Sequence, residues 1–203
     1  MISGITQGTP SNILFGAGVY FAGIPYSETA APTEEAIKAK VIGATSGGGN
    51  VKIIPEFFAP EIDGVRVQLK ELQNKVGEKA TMDASFVELT PEHMAKAVIG
   101  DVAAAGDYEV VTSAASIASG HFYDGFGFFG KLMDGRPVIV LFKQALCTSG
   151  FSADSKNKTN SVFTGTFECM GDIATGVQKL PYAIFIRKLD GWQPATPAEV
   201  TTE

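Results

Sequence analysis

At 203 residues the chain has the size of one domain, long enough to bury roughly two-thirds to three-quarters of its unfolded surface in a single core. Hydrophobic residues make up 45% and charged residues 19%, which excludes an intrinsically disordered chain. Sixteen Lys and Arg against 22 Asp and Glu leave a net charge of −6, which argues against a dedicated surface for DNA or for anionic membranes.

Two cysteines, Cys147 and Cys169, with no CxxC pair and no nearby His, support neither a disulfide framework nor a structural zinc site. They are expected to be free thiols. The stretch from Met1 to Pro10 lacks the basic-then-apolar order of a secretory signal, and no uncharged apolar run of about 18 residues could cross a bilayer. The expectation is a soluble protein made in the cytoplasm, with no membrane partner.

Twenty-three Gly and 10 Pro punctuate short apolar segments, the pattern of a mainly β protein of sandwich or barrel type. The first strand is expected from Ile13 to Phe21 and the second from Ala39 to Thr45. Between them, Thr33 ahead of Glu34 and Glu35 can cap a short helical turn. Ser46 to Asn50, with three glycines, reads as a flexible break. The following segment carries Ile53, Ile54, Phe57, Phe58 and Ile62, interrupted by Pro55 and Pro60. Proline cannot donate to a ladder, so this reads as an edge strand or an extended arm covering about residues 46–77. Asp63-Gly64 is expected to turn the chain back into Val65 to Leu69.

From Lys79 to Glu88 apolar and polar residues alternate with period two, a half-buried strand. One helix is expected from about Pro91 to Ile99: Thr90 is a good N-cap, Pro91 suits the first helical position and Gly100 stands just past the end. Its apolar stripe reads as Met94, Val98 and Ile99. Further strands are expected over Tyr108 to Ser113, Gly120 to Gly130, Arg136 to Leu146, Ser161 to Met170 and Tyr182 to Lys188. Asp124-Gly125 and Asp134-Gly135 read as hairpin turns.

Chemical motifs fail their spacing tests. Gly16-Ala17-Gly18 lacks the third glycine of a dinucleotide fingerprint, and Gly43 to Gly48 is followed by Gly49-Asn50 where a phosphate loop needs Lys and Ser or Thr. His93 and His121 share no ligand spacing. Ser113, Ser116 and Ser119 sit in no GxSxG elbow. Asn157-Lys158-Thr159 has the form of a glycosylation sequon only. The aromatic run Gly120 to Gly130 reads as buried core, with a ligand platform, for sugars for example, as the rival. No catalytic residue, cofactor or metal is expected.

Several segments together resemble the major tail tube proteins of long-tailed, siphovirus-like phages. They are Asn12 to Phe21, Ile42 to Gly48, the arm ending in Ile62-Asp63-Gly64, Val87 to Glu92 leading into the helix, and Tyr182 to Arg187. In order they span nearly the whole chain, while Ala103 to Gly130 has no counterpart. The resemblance implies a β-sandwich or barrel-like fold with one flanking helix, assembled without enzymatic activity into stacked, hexameric rings. These form the virion tail tube, built in the host cytoplasm, through which genomic DNA passes without specific binding. The implied partners are further copies of the chain and other tail proteins, such as tape measure and tail terminator. Ile53, Ile54, Phe57, Phe58 and Ile62 are the expected self-assembly residues of the arm. Alternatives are a tube protein of a contractile tail or secretion system, and a ligand-binding β-sandwich module.

Overall fold

The computed structural model describes residues 14–64, 67–88, 90–156, 159–173 and 179–190. Ten strands and two α-helices follow in chain order: β1 (Leu14–Phe21), α1 (Glu34–Lys38), β2 (Thr45–Phe58), β3 (Asn74–Phe86), α2 (Pro91–Val98), β4 (Gly100–Ala105), β5 (Tyr108–Ser113), β6 (Tyr123–Leu132), β7 (Pro137–Cys147), β8 (Ala153–Lys156), β9 (Thr159–Cys169) and β10 (Tyr182–Ile186). The protein is mainly β, as its composition predicts.

All described pairings are antiparallel. The main sheet runs β1-β6-β7-β9-β3-β2, with β10 added to β7 and β8 to β9, and β4-β5 forms a separate hairpin. The long sheet curls until its ends approach. On the outer side of β1, Phe21 bridges Val41, Ala22 N–H donates to Lys40 O at 3.1 Å, and Ile42 N–H donates to Tyr20 O at 3.0 Å. Residues 40–42 then lead into β2 at the far end of the sheet order, so the roll is nearly closed. Tyr20 completes it by donating its hydroxyl to Asp83 O in β3 at 2.8 Å. Burial, followed by the nearby Asp83 charge, pushes the Tyr20 phenol up to about 12, so the donor keeps its proton at physiological pH.

Strand alternation builds the core inside this roll. Ala80, Met82, Ala84 and Phe86 of β3 point inward, as the period-two pattern predicts, and meet Tyr20, Tyr123, Phe126, Phe142, Phe163 and Phe167. Phe126 and Phe167 stack at 4.4 Å, and Tyr123 meets Phe167 edge-on at 5.4 Å. The intervening residues of β1 and β7 face outward, where Phe21, Ile139 and Leu141 are covered by Ile24 and by Ile37 of α1. β7 is therefore buried on both faces, which is why residues 138–142 form an unbroken apolar run. Both helices are capped as expected: Thr33 Oγ1 accepts from Ala36 N–H at 3.2 Å, and Thr90 Oγ1 from His93 N–H at 3.4 Å.

Several local expectations are corrected. Residues 39–44 make a single bridge rather than a strand, and the three glycines 47–49 lie inside β2 rather than breaking the chain before it. A register shift between Thr45 and Gly49 absorbs them, with Gly47 and Gly48 at positive φ. Of the return expected over Val65 to Leu69, Val65 lies outside the described residues and Val67 to Leu69 is not strand, so the described pairing with β2 begins at Asn74. α2 buries Ala95 and Ala97, with Met94 and Ile99 half-buried and Val98 exposed. Ala97 joins the core cluster that holds Tyr123, and the His93 ring stacks on that of Tyr123 at 5.8 Å. The positive φ that ends α2 falls on Ile99 (φ 54°), not on glycine. Gly100 is needed instead for close approach, because a Cβ there would lie 2.4 Å from Thr112 O of β5. Asp134-Gly135 forms the expected turn, but Gly125 lies within β6, at φ +55° and against Ile24 O. β5 falls where a strand was expected, over Tyr108 to Ser113, while its hairpin partner β4 and the short β8 were not foreseen.

Candidate interaction surface

β2 and β3 form a hairpin longer than the core beneath it. Near its base Val51 and Ile53 pack against the interior cluster. Beyond Ile53 the two strands continue to pair, Ile54 with Lys79 through Phe58 with Asn74, but they leave the core behind. Ile54 is 56% exposed, Phe57 63%, Phe58 56% and Ile62 50%, and Val67, Leu69 and Val76 are exposed as well. Phe57 and Phe58 are adjacent and so point to opposite faces of the strand, which means that both faces of the hairpin are uncovered. A register shift between Glu56 and Phe57 leaves Val76 without an opposite residue, a bulge that twists the tip. Of the five arm residues read from sequence, four stand out in solvent and Ile53 belongs to the chain's own core. The projecting part begins near residue 54 rather than 46. Its base is fixed by Tyr182 Oη donating to Glu78 at 3.1 Å, by Lys75 2.9 Å from Glu78 and by Lys79 2.9 Å from Glu168.

So many exposed large apolar side chains on one hairpin make it the candidate interaction surface, since large apolar patches are uncommon on monomers. Proline at 55 is compatible with the position because β2 is the last strand of its sheet, where one row of backbone groups needs no ladder partner.

A second surface lies beside β10, the strand added to β7. Between the start of α1 and β10 is an open cleft of 1020 Å³, lined by Pro32, Glu34 and Glu35 on one wall and by Ile139 and Ile184 to Lys188 on the other. Ile184 and Ile186 are 49% and 60% exposed. Sequence reading missed this feature, because Tyr182 to Ile186 is apolar at every position and looks like a fully buried strand.

Asn157 and Lys158 of the sequon lie outside the described residues, and residues of the other failed motifs have structural places. Gly18 sits in β1 under the Phe128 ring, where a Cβ would lie 2.0 Å from a ring carbon. His121 is buried, its Nδ1 accepting from Ala118 N–H at 2.9 Å and its Nε2 3.8 Å from Asp101. His93 Nδ1 is buried without a hydrogen-bond partner, and burial lowers the pKa of the ring. Cys147 and Cys169 are free and buried; burial pushes the Cys169 thiol up to about 12. Ser113 closes β5 and Ser119 opens a short 3-10 turn. The aromatic run forms β6, with Tyr123 and Phe126 inside the core and Phe128 and Phe129 half-buried, so its rings are occupied by their own protein. Among the described residues no three or more His, Cys, Asp or Glu side chains are grouped as a metal site, and no helix is long and apolar enough to cross a membrane.

No protein-family model matches the sequence, and no curated protein matches it.

Proposed function

We propose that the chain is a structural subunit that assembles with copies of itself into stacked rings, forming the tail tube of a long-tailed phage. The observation that carries this reading is the β2-β3 arm, which extends past its own core and holds Ile54, Phe57, Phe58 and Ile62 in solvent. A folded protein gains by covering such a surface, and a second protein surface is the simplest cover. Among the described strands β2 and β10 are each paired on one side only, and sheet edges are natural joints between subunits. The order of segments resembling tail tube proteins narrows the assembly from any oligomer to a tube.

In this reading the chain has no catalytic role. Its partners are its own copies and the proteins at the ends and interior of the tail, and genomic DNA slides past without specific contacts. The net charge of −6 supports a non-adhesive wall, since DNA carries one phosphate charge per ~1.7 Å of duplex. Duplex-DNA binding that weakens steeply with salt would refute that part. A ligand-binding module is the weaker reading, because the rings that would make its platform are largely in the core. Sedimentation velocity tests the proposal: the protein should shift from monomer to large species as its concentration rises, and a monomer at every concentration would refute it.

A further inference from the structure

The arm needs a receiving surface, and the cleft beside β10 has three properties that suit it. First, β10 is paired on one side only, with β7, and among the described strands none pairs its other edge. The cleft is lined on one side by Ile184 to Lys188 of this strand and its continuation and on the other by Ile139, Lys131 and the start of α1, so β10 forms one of its walls. An extended segment laid there would gain main-chain hydrogen bonds as well as apolar contact. At 1020 Å³ the cleft lies at the upper end of small-ligand pockets and is open, which favours a stretch of polypeptide.

Second, both surfaces carry exposed apolar side chains, Ile54, Phe57, Phe58 and Ile62 on the arm and Ile184 and Ile186 beside the cleft, that no described residue covers. Third, their charges are complementary. Residues 54–64 carry Glu56, Glu61 and Asp63 and no Lys or Arg. Ile186 is followed directly by Arg187 and Lys188, and Lys131 lies across the cleft. The cleft also contains Glu34, Glu35 and Asp190, but Glu34 is 3.6 Å from Lys131 and both glutamates lie in the first turn of α1. The basic pair adjoining the exposed isoleucines is therefore what an incoming acidic strand would meet.

We propose that this cleft is the receptor for the arm of a second copy of the chain. Residues 54–64 lie along the β10 edge, with Phe57 or Phe58 against Ile184 and Ile186, and with the arm's carboxylates facing Arg187 and Lys188. The inference rests on the self-assembly reading and adds which surface meets the arm. Arm and cleft are different surfaces of one molecule, so the contact is heterologous. Each copy offers an arm and receives one, and the series closes into a ring or continues as a filament.

The test is a photo-crosslink between copies. Benzoylphenylalanine replaces the exposed Ile186, and the protein is prepared as a mixture of 14N- and 15N-labelled chains, assembled, irradiated and digested with trypsin. The expected product joins residue 186 of one label to the 53–66 peptide of the other. Arg187→Glu with Lys188→Glu should lower its yield roughly tenfold, since opposed like charges at an interface are strongly unfavourable. Mixing in a second chain carrying Glu56→Lys, Glu61→Lys and Asp63→Lys should restore it. If the copies assemble but position 186 links elsewhere, for example to residues 191–203 of its own chain, this inference is overturned and the tube reading stands. If the protein stays monomeric and no inter-copy product forms, both are overturned.

Discussion

Replacing Phe57 and Phe58 with Ser should abolish assembly while leaving the monomer folded. The two rings are 63% and 56% exposed, so the chain's own fold has little of their surface to lose. A Phe side chain offers roughly 150–250 Å², so about 100–120 Å² of each ring stays free to be covered by a partner. At ~25 cal/mol per Å² that is about 2.5–3 kcal/mol for each ring, and ordering each side chain at the interface takes back about 0.5–1.5 kcal/mol. The net loss is about 3 kcal/mol per contact, enough to weaken association more than about a hundredfold. The monomer should lose less than about 1 kcal/mol, or about 2–4 °C in Tm for a chain of this size. Sedimentation velocity reads the first effect and circular dichroism melting the second. Normal assembly of the double variant would refute the reasoning, and so would an unfolded monomer, which would place the two rings in the core.

Three further predictions concern the fold itself. Thr90→Ala removes the acceptor for His93 N–H at the start of α2 and should cost about 1 kcal/mol by denaturant titration; no measurable change would mean that the cap is idle. Gly125→Ala should destabilise by about 3 kcal/mol or more in the same assay, because φ is +55° and the new Cβ would lie 1.7 Å from Ile24 O; a loss under about 1 kcal/mol would contradict this close approach. His93 has its pKa lowered below 6.5, by burial first and by Lys96, with Glu92 opposing. The unfolded chain therefore binds the proton more readily, and stability should fall as pH drops below 6.5 towards the lowered value. Melting curves from pH 8 to 5 should show this slope in the natural protein and a shallower one in His93→Phe, which keeps a ring on Tyr123; equal slopes would exclude His93 as the source.

The sequence was most legible where one local rule agreed with the packing. Ala80, Met82, Ala84 and Phe86 alternate because β3 has a core on one face and a wetter surface on the other, and period two records that directly. Thr90-Pro91-Glu92 marked the start of α2 because capping is local chemistry. Legibility failed where tertiary contact decided the use of a residue. Gly100 and Gly125 read as a helix stop and a hairpin turn, yet each admits a neighbouring backbone that no local pattern reveals. The stripe of α2 was misassigned because its buried positions hold Ala95 and Ala97, small residues that leave no strong periodicity of large apolar side chains to read. The arm was recognisable from Pro55 and Pro60 within an apolar run, but its starting point was not, since only the extent of the core shows that Val51 and Ile53 still belong to it. The β10 surface was hidden because an apolar strand looks the same in sequence whether its outer residues are covered by its own chain or left in solvent.

The central claim is self-assembly into a tube, and negative-stain electron microscopy of the purified, concentrated protein tests it most directly. The account predicts rings of uniform diameter with a central channel, and stacks of such rings. A field of featureless particles of monomer size, with the protein folded by circular dichroism, would contradict it.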